Sequence, residues 1–327
     1  MLSLHTDAAA MSTENAISST QDQLNGALTD LGTGYRVNTA MDDPAGLQIA
    51  TRLQAWIGSA QQAQQNTQDG VALLQTADGS LTELTNILET MKDLATEAAD
   101  GSTSGSNALS LQEEYNALGQ EAGNIIQTSS YAGEALFSVD PPTGSTITAG
   151  GLLAQSAGLT FQVGASSEET MNVNTTPQVT SLISALQSIS DNFVPPGQDA
   201  TVSATNPTGL NAAGVPISST GNATSGTELL TQAGANTLID TINNALNAVL
   251  SLQGQLGASA NDLQDVNANL SNEITYQTTA KGDIMDVDYA SESSTATSLQ
   301  LQLQAGTSAL KQASDSMQQM VQTLMSG

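Results

Sequence analysis

Both ends of this chain carry apolar residues at alternating spacings of three and four, and no other feature limits the possible folds as much. Near the start, Ala10, Ile17, Leu24 and Leu31 recur every seven residues, with Leu28 on the same stripe. Near the end, Leu299, Leu303, Gly306, Leu310, Ala313, Met317, Met320 and Leu324 step by four and three throughout. Residues at these intervals return to one face of an α-helix, so each segment predicts a helix with a single apolar seam. Terminal segments usually fray. Seams that run into both of them demand a partner.

Further stripes lie inward. Leu74, Leu81, Leu88 and Ala95 interleave with Leu84, Met91 and Ala98. In the second half, Ile242, Leu246, Val249, Leu256, Ala260, Leu263, Leu270 and Ile274 follow one seam, with Gln253 and Asn267 as polar interruptions. Between about Phe137 and Thr227 the pattern changes. Pro141-Pro142, Gly150-Gly151 and Pro195-Pro196 mark turns among many Ser, Thr and Asn residues. Two short stretches, Leu159 to Gly164 and Met171 to Asn174, have the residue types of strands. The expected fold is mainly α: a long antiparallel helical bundle or coiled coil made by the N- and C-terminal halves. A small β hairpin and a short loop-rich central insertion complete it.

Composition agrees with long helices packed side by side. Aromatic residues make up only 3% of the 327, and Trp56 is the sole tryptophan. Buried positions therefore fall to Leu, Ile, Met and Ala. Thirty-two acidic residues face five basic ones, Arg36, Arg52, Lys92, Lys281 and Lys311, for a net charge of −27. That excludes nucleic acid as a partner, since no basic cluster exists to neutralise phosphates. Anionic membrane surfaces are disfavoured for the same reason. No apolar run approaches the roughly 20 residues of a membrane helix, so no membrane insertion is expected. The opening Met-Leu-Ser-Leu-His-Thr-Asp has no basic region followed by an apolar stretch, which argues against a cleavable signal peptide.

Catalytic chemistry finds little material. There is no cysteine, and His5 is the only histidine, so neither a His-based pair nor a two-His zinc site can be built. Asp283, Asp286 and Asp288 alternate like a cation loop but lack the glycine and distal glutamate of one. No catalytic residue, metal or cofactor is expected.

The most distinctive stretch runs from Leu31 to Ala50: Leu-Gly-Thr-Gly-Tyr-Arg-Val-Asn-Thr-Ala-Met-Asp-Asp-Pro-Ala-Gly-Leu-Gln-Ile-Ala. Gly32 and Gly34 should stop the first helix. A polar extended segment then holds Arg36 close to Asp42 and Asp43. Asp43-Pro44 starts a new helix with an acidic cap and proline in the first turn. This stretch resembles the flagellin signature, in which Thr-Gly-x-Arg-Ile-Asn precedes Asp-Asp and Ala-Gly-x-x-Ile-Ala. Its partner lies near the other end, in Asp286-Val-Asp-Tyr-Ala-Ser-Glu292 and then Leu303-Gln-Ala-Gly-Thr-Ser-Ala-Leu310. The likeness covers roughly residues 1–177 and 228–327. Met285 and Asp283 depart from the family pattern, as does the ending Leu324-Met-Ser-Gly.

Membership of that family implies a structural subunit that self-assembles into the flagellar filament, exported unfolded through the flagellar secretion channel and extracellular in place. It implies an inner filament-core domain from residues 1–40 and 285–327, disordered in the monomer and folded as coiled coils on assembly. Its polymerisation stripes would be the terminal seams named above. An outer helical layer would comprise 41–177 and 228–284, and residues 178–227 would form a short variable surface insertion. Arg36, Asn38, Asp42, Asp43 and Gly46 would lie in the spoke between layers. The implied partners are further copies of the chain, the filament cap, the hook–filament junction protein, an export chaperone and the export apparatus. A flagellin-sensing innate receptor would be engaged weakly. In the matching helix Glu89 and Leu94 are present, but Thr90 stands where the key arginine would be, and losing such an anchor commonly costs about 2 kcal/mol. Two other roles suit parts of the pattern: the hook–filament junction protein itself, and a secreted helical adhesin or effector.

Overall fold

The computed structural model describes residues 8–137, 139–140, 148–149, 151–189 and 228–326. Six helices dominate: α1 (Ala8–Thr33), α2 (Pro44–Ala98), α3 (Gly105–Thr128), α4 (Thr176–Ile189), α5 (Gln232–Met285) and α6 (Tyr289–Ser326). Three two-stranded antiparallel ribbons join them: β1 (Ser130–Tyr131) with β2 (Glu134–Ala135), β3 (Val139–Asp140) with β4 (Thr148–Ala149), and β5 (Leu159–Gln162) with β6 (Thr170–Val173). The chain divides into two compact units. One contains residues 1–58 and 273–327, the other 59–272, and α2 and α5 contribute to both.

Unit 2 has a thick core. On α2 the predicted stripe is buried throughout, from Leu74 through Leu81, Leu84, Leu88 and Met91 to Ala95 and Ala98. Its α5 counterpart runs Ala235, Leu238, Ile242, Ala245, Val249, Leu252, Leu256 and Leu263. Two cross-helix hydrogen bonds set their antiparallel register: Gln253 Nε2 to Thr82 Oγ1 at 3.3 Å and Asn267 Nδ2 to Thr67 Oγ1 at 2.8 Å. These are the two polar interruptions of the α5 seam. Asn267 also donates to the Gln64 carbonyl at 3.1 Å, so its amide is satisfied where a leucine would have filled the space. The β5–β6 hairpin pairs Leu159 with Val173 and Phe161 with Met171. Its place on α2 depends on Gly70, where a β-carbon would sit 2.9 Å from the Phe161 ring.

The expected surface insertion does not begin at residue 178. Residues 178–189 belong to α4, whose Val179, Leu182, Ile183, Leu186 and Ile189 all enter the core. Those five positions already carry helical spacing in the sequence. The remainder, 190–227, lies outside the described residues. Both flanks of that stretch are tied to one turn of α3. Tyr115 Oη donates to the Ile189 carbonyl at 3.0 Å, and Gln112 Oε1 accepts from the Leu229 N–H at 2.7 Å while its Nε2 donates to Glu228 at 2.7 Å. Burial, helped by the Glu228 charge, pushes the Tyr115 hydroxyl well above its usual range, so it remains a hydrogen-bond donor.

Leu81 has no exposed surface, whereas Leu250 is 57% exposed. Leu81→Ala should lower the stability of unit 2 by about 2–5 kcal/mol in urea unfolding. Leu250→Ala should change it by no more than about 0.5 kcal/mol.

Candidate assembly interface

Unit 1 is built from the residues in which the two ends of the chain meet. The seam of α1 faces that of α6 in antiparallel order. Leu24 and Ala27 on α1 are buried with Ala296 and Leu299 on α6, and Leu31 and Leu303 pack at the edges of this cluster. Seven residues back along α1, Ile17 lies over Gly306: a β-carbon there would meet Ile17 Cγ1 at 3.0 Å. The predicted glycine in the C-terminal stripe is therefore a hole for a knob from α1. Ala10 and Leu310 are half-buried farther along the two helices. Leu28 stands apart from this contact and is 48% exposed. The buried heptad runs 17, 24, 27, 31, and position 28 falls on its outer edge. The side chains of Met317, Met320 and Leu324 lie outside the described residues.

Beyond α1 the chain makes a compact polar knot with the α5–α6 connection. Gly34 alone ends α1, with φ of 77° and its N–H on the Asp30 carbonyl at 2.9 Å. Gly32, expected to share that task, remains inside the helix. Here only glycine fits, because the left-handed backbone strains other residues and a β-carbon would lie 2.8 Å from the Tyr289 hydroxyl oxygen. Tyr35 then forms an antiparallel bridge with Asp286, closed by Arg36 N–H to the Met285 carbonyl at 2.7 Å and Val287 N–H to the Gly34 carbonyl at 3.0 Å.

Arg36 acts differently from the expectation that placed it with Asp42 and Asp43. Its guanidinium Nη2 donates to the Ile284 carbonyl at 2.7 Å. Together with its main-chain N–H it satisfies two of the last carbonyls of α5, where the helix dipole also favours a cation. The two aspartates instead accept from main-chain groups. Asp42 Oδ2 takes the N–H groups of Asn38 at 3.0 Å and Thr39 at 2.7 Å and the Thr39 hydroxyl at 3.1 Å. Asp43 Oδ1 caps α2 through the N–H groups of Ala45 and Gly46 at 3.1 and 2.9 Å. Asn38 donates to Asp30 Oδ1 at 2.7 Å and the Tyr35 carbonyl at 2.8 Å, tying the knot back to α1. Gly46 is buried, and its β-position would lie 3.3 Å from Ile284 Cγ2. On the far side Asp288 caps α6, accepting from Ala290 and Ser291 at 3.0 and 3.3 Å.

The third group of predicted residues lies on the unit 2 portion of α2. Glu89 and Thr90 are exposed, with the Thr90 hydroxyl donating to the Asn86 carbonyl at 3.0 Å. Leu94 is turned into the core and is only 8% exposed. Among the described residues no group of three or more His, Cys, Asp or Glu side chains is placed to hold a metal ion, and no helix is long and apolar enough to cross a membrane.

The class this geometry defines is a helical protein whose first and last segments fold upon each other through a shared seam and a capped polar junction. The chain belongs to the bacterial flagellin family: the flagellin N-terminal helical region matches residues 4–140 and the C-terminal helical region residues 239–325. It is similar to polar flagellin F of Vibrio parahaemolyticus, at 36% identity over 172 residues, or 53% of this chain and 42% of that one. The match thus spans less than half of that relative's length. Among solved structures, a crystal structure of Bacillus cereus flagellin is 24% identical with a TM-score of 0.41, covering 63% of this chain and 88% of that one. A putative flagellar hook-associated protein from Vibrio parahaemolyticus is 16% identical with a TM-score of 0.48, covering 75% of this chain and 100% of that one.

The hydrogen bonds to Asp42 hold its carboxyl below the usual aspartate range, the Thr39 N–H contributing most, with Asn38 N–H and the Thr39 hydroxyl adding to it. A depressed folded value means that the Asp42 contribution is present above the unfolded pKa of about 3.9 and is lost as pH falls through the folded one. The Asp42 carboxyl carbon should titrate in NMR below a peptide aspartate. Asp42→Asn should raise amide exchange at Asn38 and Thr39 at neutral pH.

Proposed function

We propose that this chain is a subunit of the bacterial flagellar filament, a structural protein that works by self-assembly outside the cell. The observation that supports this most strongly is the terminal pair itself. Among the described residues the α1–α6 contact buries a small cluster, Leu24, Ala27, Ala296 and Leu299, along two helices of 26 and 38 residues. Isolated helices gain most of their stability from tertiary packing. A pair this thinly packed gains order when neighbouring copies cover it, which fits terminal segments that fold fully on assembly.

In this reading residues 1–40 and 285–327 form the inner core of the filament, residues 41–189 and 228–284 the helical layer around it, and the knot at Arg36–Gly46 the connection between them. Export follows the flagellar secretion channel with the chain unfolded, which a cysteine-free sequence suits. The cap, the hook–filament junction protein, an export chaperone and the export apparatus are its transient partners. Assembly proceeds by burying apolar seams against the mutual repulsion of copies carrying −27 each.

Purified chain given filament seeds should elongate into long uniform tubes in electron microscopy, and moderate salt should raise the yield by screening repulsion. Removing residues 299–327 should abolish tubes while the cooperative unfolding of unit 2 persists. Unchanged monomer beside seeds that elongate with a control flagellin would overturn the filament role. Yield that declines steadily as salt rises would overturn its electrostatic part.

Weak engagement of a flagellin-sensing receptor follows from Thr90, an exposed hydroxyl with no charge to anchor a partner. Thr90→Arg should increase reporter-cell potency about tenfold or more, the equivalent of about 1.4 kcal/mol or above. Wild-type potency equal to that of a strong activator would refute this.

A further inference from the structure

In the unit 1 part of α2 the helix carries two stripes, and the chain itself covers one of them. Gly46, Ala50 and Ile57 are buried, with Leu53 half-buried between them. One residue earlier at each step lies a second set: Ile49, Arg52 and Trp56. At roughly 100° per residue this second stripe points about a quarter-turn away from the first. Ile49 is 48% exposed, Arg52 is exposed, and Trp56 is half-buried. No described residue hydrogen-bonds or ion-pairs with the Arg52 guanidinium.

Among the described residues this stripe is left uncovered at Ile49 and Arg52 and only partly covered at Trp56. An exposed isoleucine and the protein's only tryptophan leave apolar surface in water at a cost of about 25 cal/mol per Å². Tryptophan and arginine are also the residues most enriched where protein surfaces bind tightly, at well-packed centres ringed by weaker contacts. The charge of the guanidinium identifies the occupant. With 32 acidic residues against five basic ones, nearly any surface of another copy offers carboxylates, and a planar guanidinium pairs with a carboxylate through two parallel hydrogen bonds.

We propose that the Ile49–Arg52–Trp56 stripe of α2 is a contact face for a second copy of this chain, a deepening that rests on the filament reading above. Trp56 inserts against the neighbouring copy, Ile49 extends the apolar contact, and Arg52 pairs with a carboxylate of that copy. The stripe supplies local attraction in a molecule whose net charge otherwise drives copies apart.

Because Trp56 is the only tryptophan, its fluorescence reports on this face without any label. On seeded assembly its emission should shift to the blue and its acrylamide quenching should fall several-fold, both reversing when the filaments are dissolved. Arg52→Gln should slow seeded elongation about tenfold at low salt with the monomer's unfolding transition unchanged, and Arg52→Lys should recover only part of the rate. Filaments seen by electron microscopy in which Trp56 is quenched as in the monomer would overturn this inference alone. Arg52→Gln elongating at the wild-type rate would remove the arginine from it. If no assembled species forms under any condition, the filament reading fails and this contact with it.

Discussion

Two backbone hydrogen bonds, one from Arg36 to Met285 and one from Val287 to Gly34, decide where four helices start and stop. They bring the end of α1 beside the end of α5, with Gly46 in the first turn of α2 against Ile284 and Tyr289 at the start of α6 against Gly34. Four helix ends in one place would leave many unpaired main-chain groups. The knot satisfies them with side chains suited to each end: Asp43 and Asp288 accept from the N–H groups of α2 and α6, while Arg36 donates to the carbonyls of α5. Acid sits at N-termini and the cation at a C-terminus, as the helix dipole favours. The seam of α1 and α6 follows from this arrangement, because α1 enters the knot and α6 leaves it in opposite directions.

That dependence separates the two units energetically. In unit 2 the seam residues are mostly Leu, Ile, Val and Met, and a third and a fourth helix close over them. In unit 1 the α1–α6 contact mixes leucines (Leu24, Leu31, Leu299 and Leu303) with Ala27, Ala296 and a glycine hole for Ile17, and Thr13 and Thr20 are half-buried on the same face. Small side chains let the helices approach closely but remove little apolar surface from water. A pairing that is specific in register and modest in strength suits segments that must separate for passage through a channel and find each other again at the growing end, as the filament reading requires.

The seams were legible because buried helical positions repeat at three and four, and nearly every leucine singled out in the α2 and α5 stripes is buried. What the spacing alone misjudged were choices between adjacent positions. Leu28 is more apolar than Ala27, yet the heptad from Leu24 to Leu31 passes through position 27 and leaves 28 in water. Gly32 and Gly34 are equal as letters, but only Gly34 carries the left-handed backbone that ends the helix. Arg36 was matched to the nearest acids along the chain. Its actual acceptor is a main-chain carbonyl 248 residues away, and such a group has no signature in sequence. The α4 helix was hidden differently: its apolar spacing was present, but Ser- and Thr-rich surroundings made the whole stretch resemble a loop.

Charge and apolar burial act over different distances, and this chain uses them in different places. Repulsion between copies at −27 extends about one Debye length, roughly 8–10 Å at physiological salt, and governs whether copies approach. The seams act only on contact and govern whether an approach persists. A uniformly acidic surface would therefore resist association everywhere, which keeps unassembled copies apart. Four of the five basic residues, Arg36, Arg52, Lys281 and Lys311, belong to unit 1. Two of them are spent inside it, Arg36 on the Ile284 carbonyl and Lys281 on Gln54 Oε1 at 2.7 Å. Arg52 and Lys311 remain, both exposed, on the same unit whose terminal helices bury least. The thinnest described self-packing and two exposed cations thus coincide, so that the part of the chain with most to gain from a neighbour also carries most of the charge that can attract one.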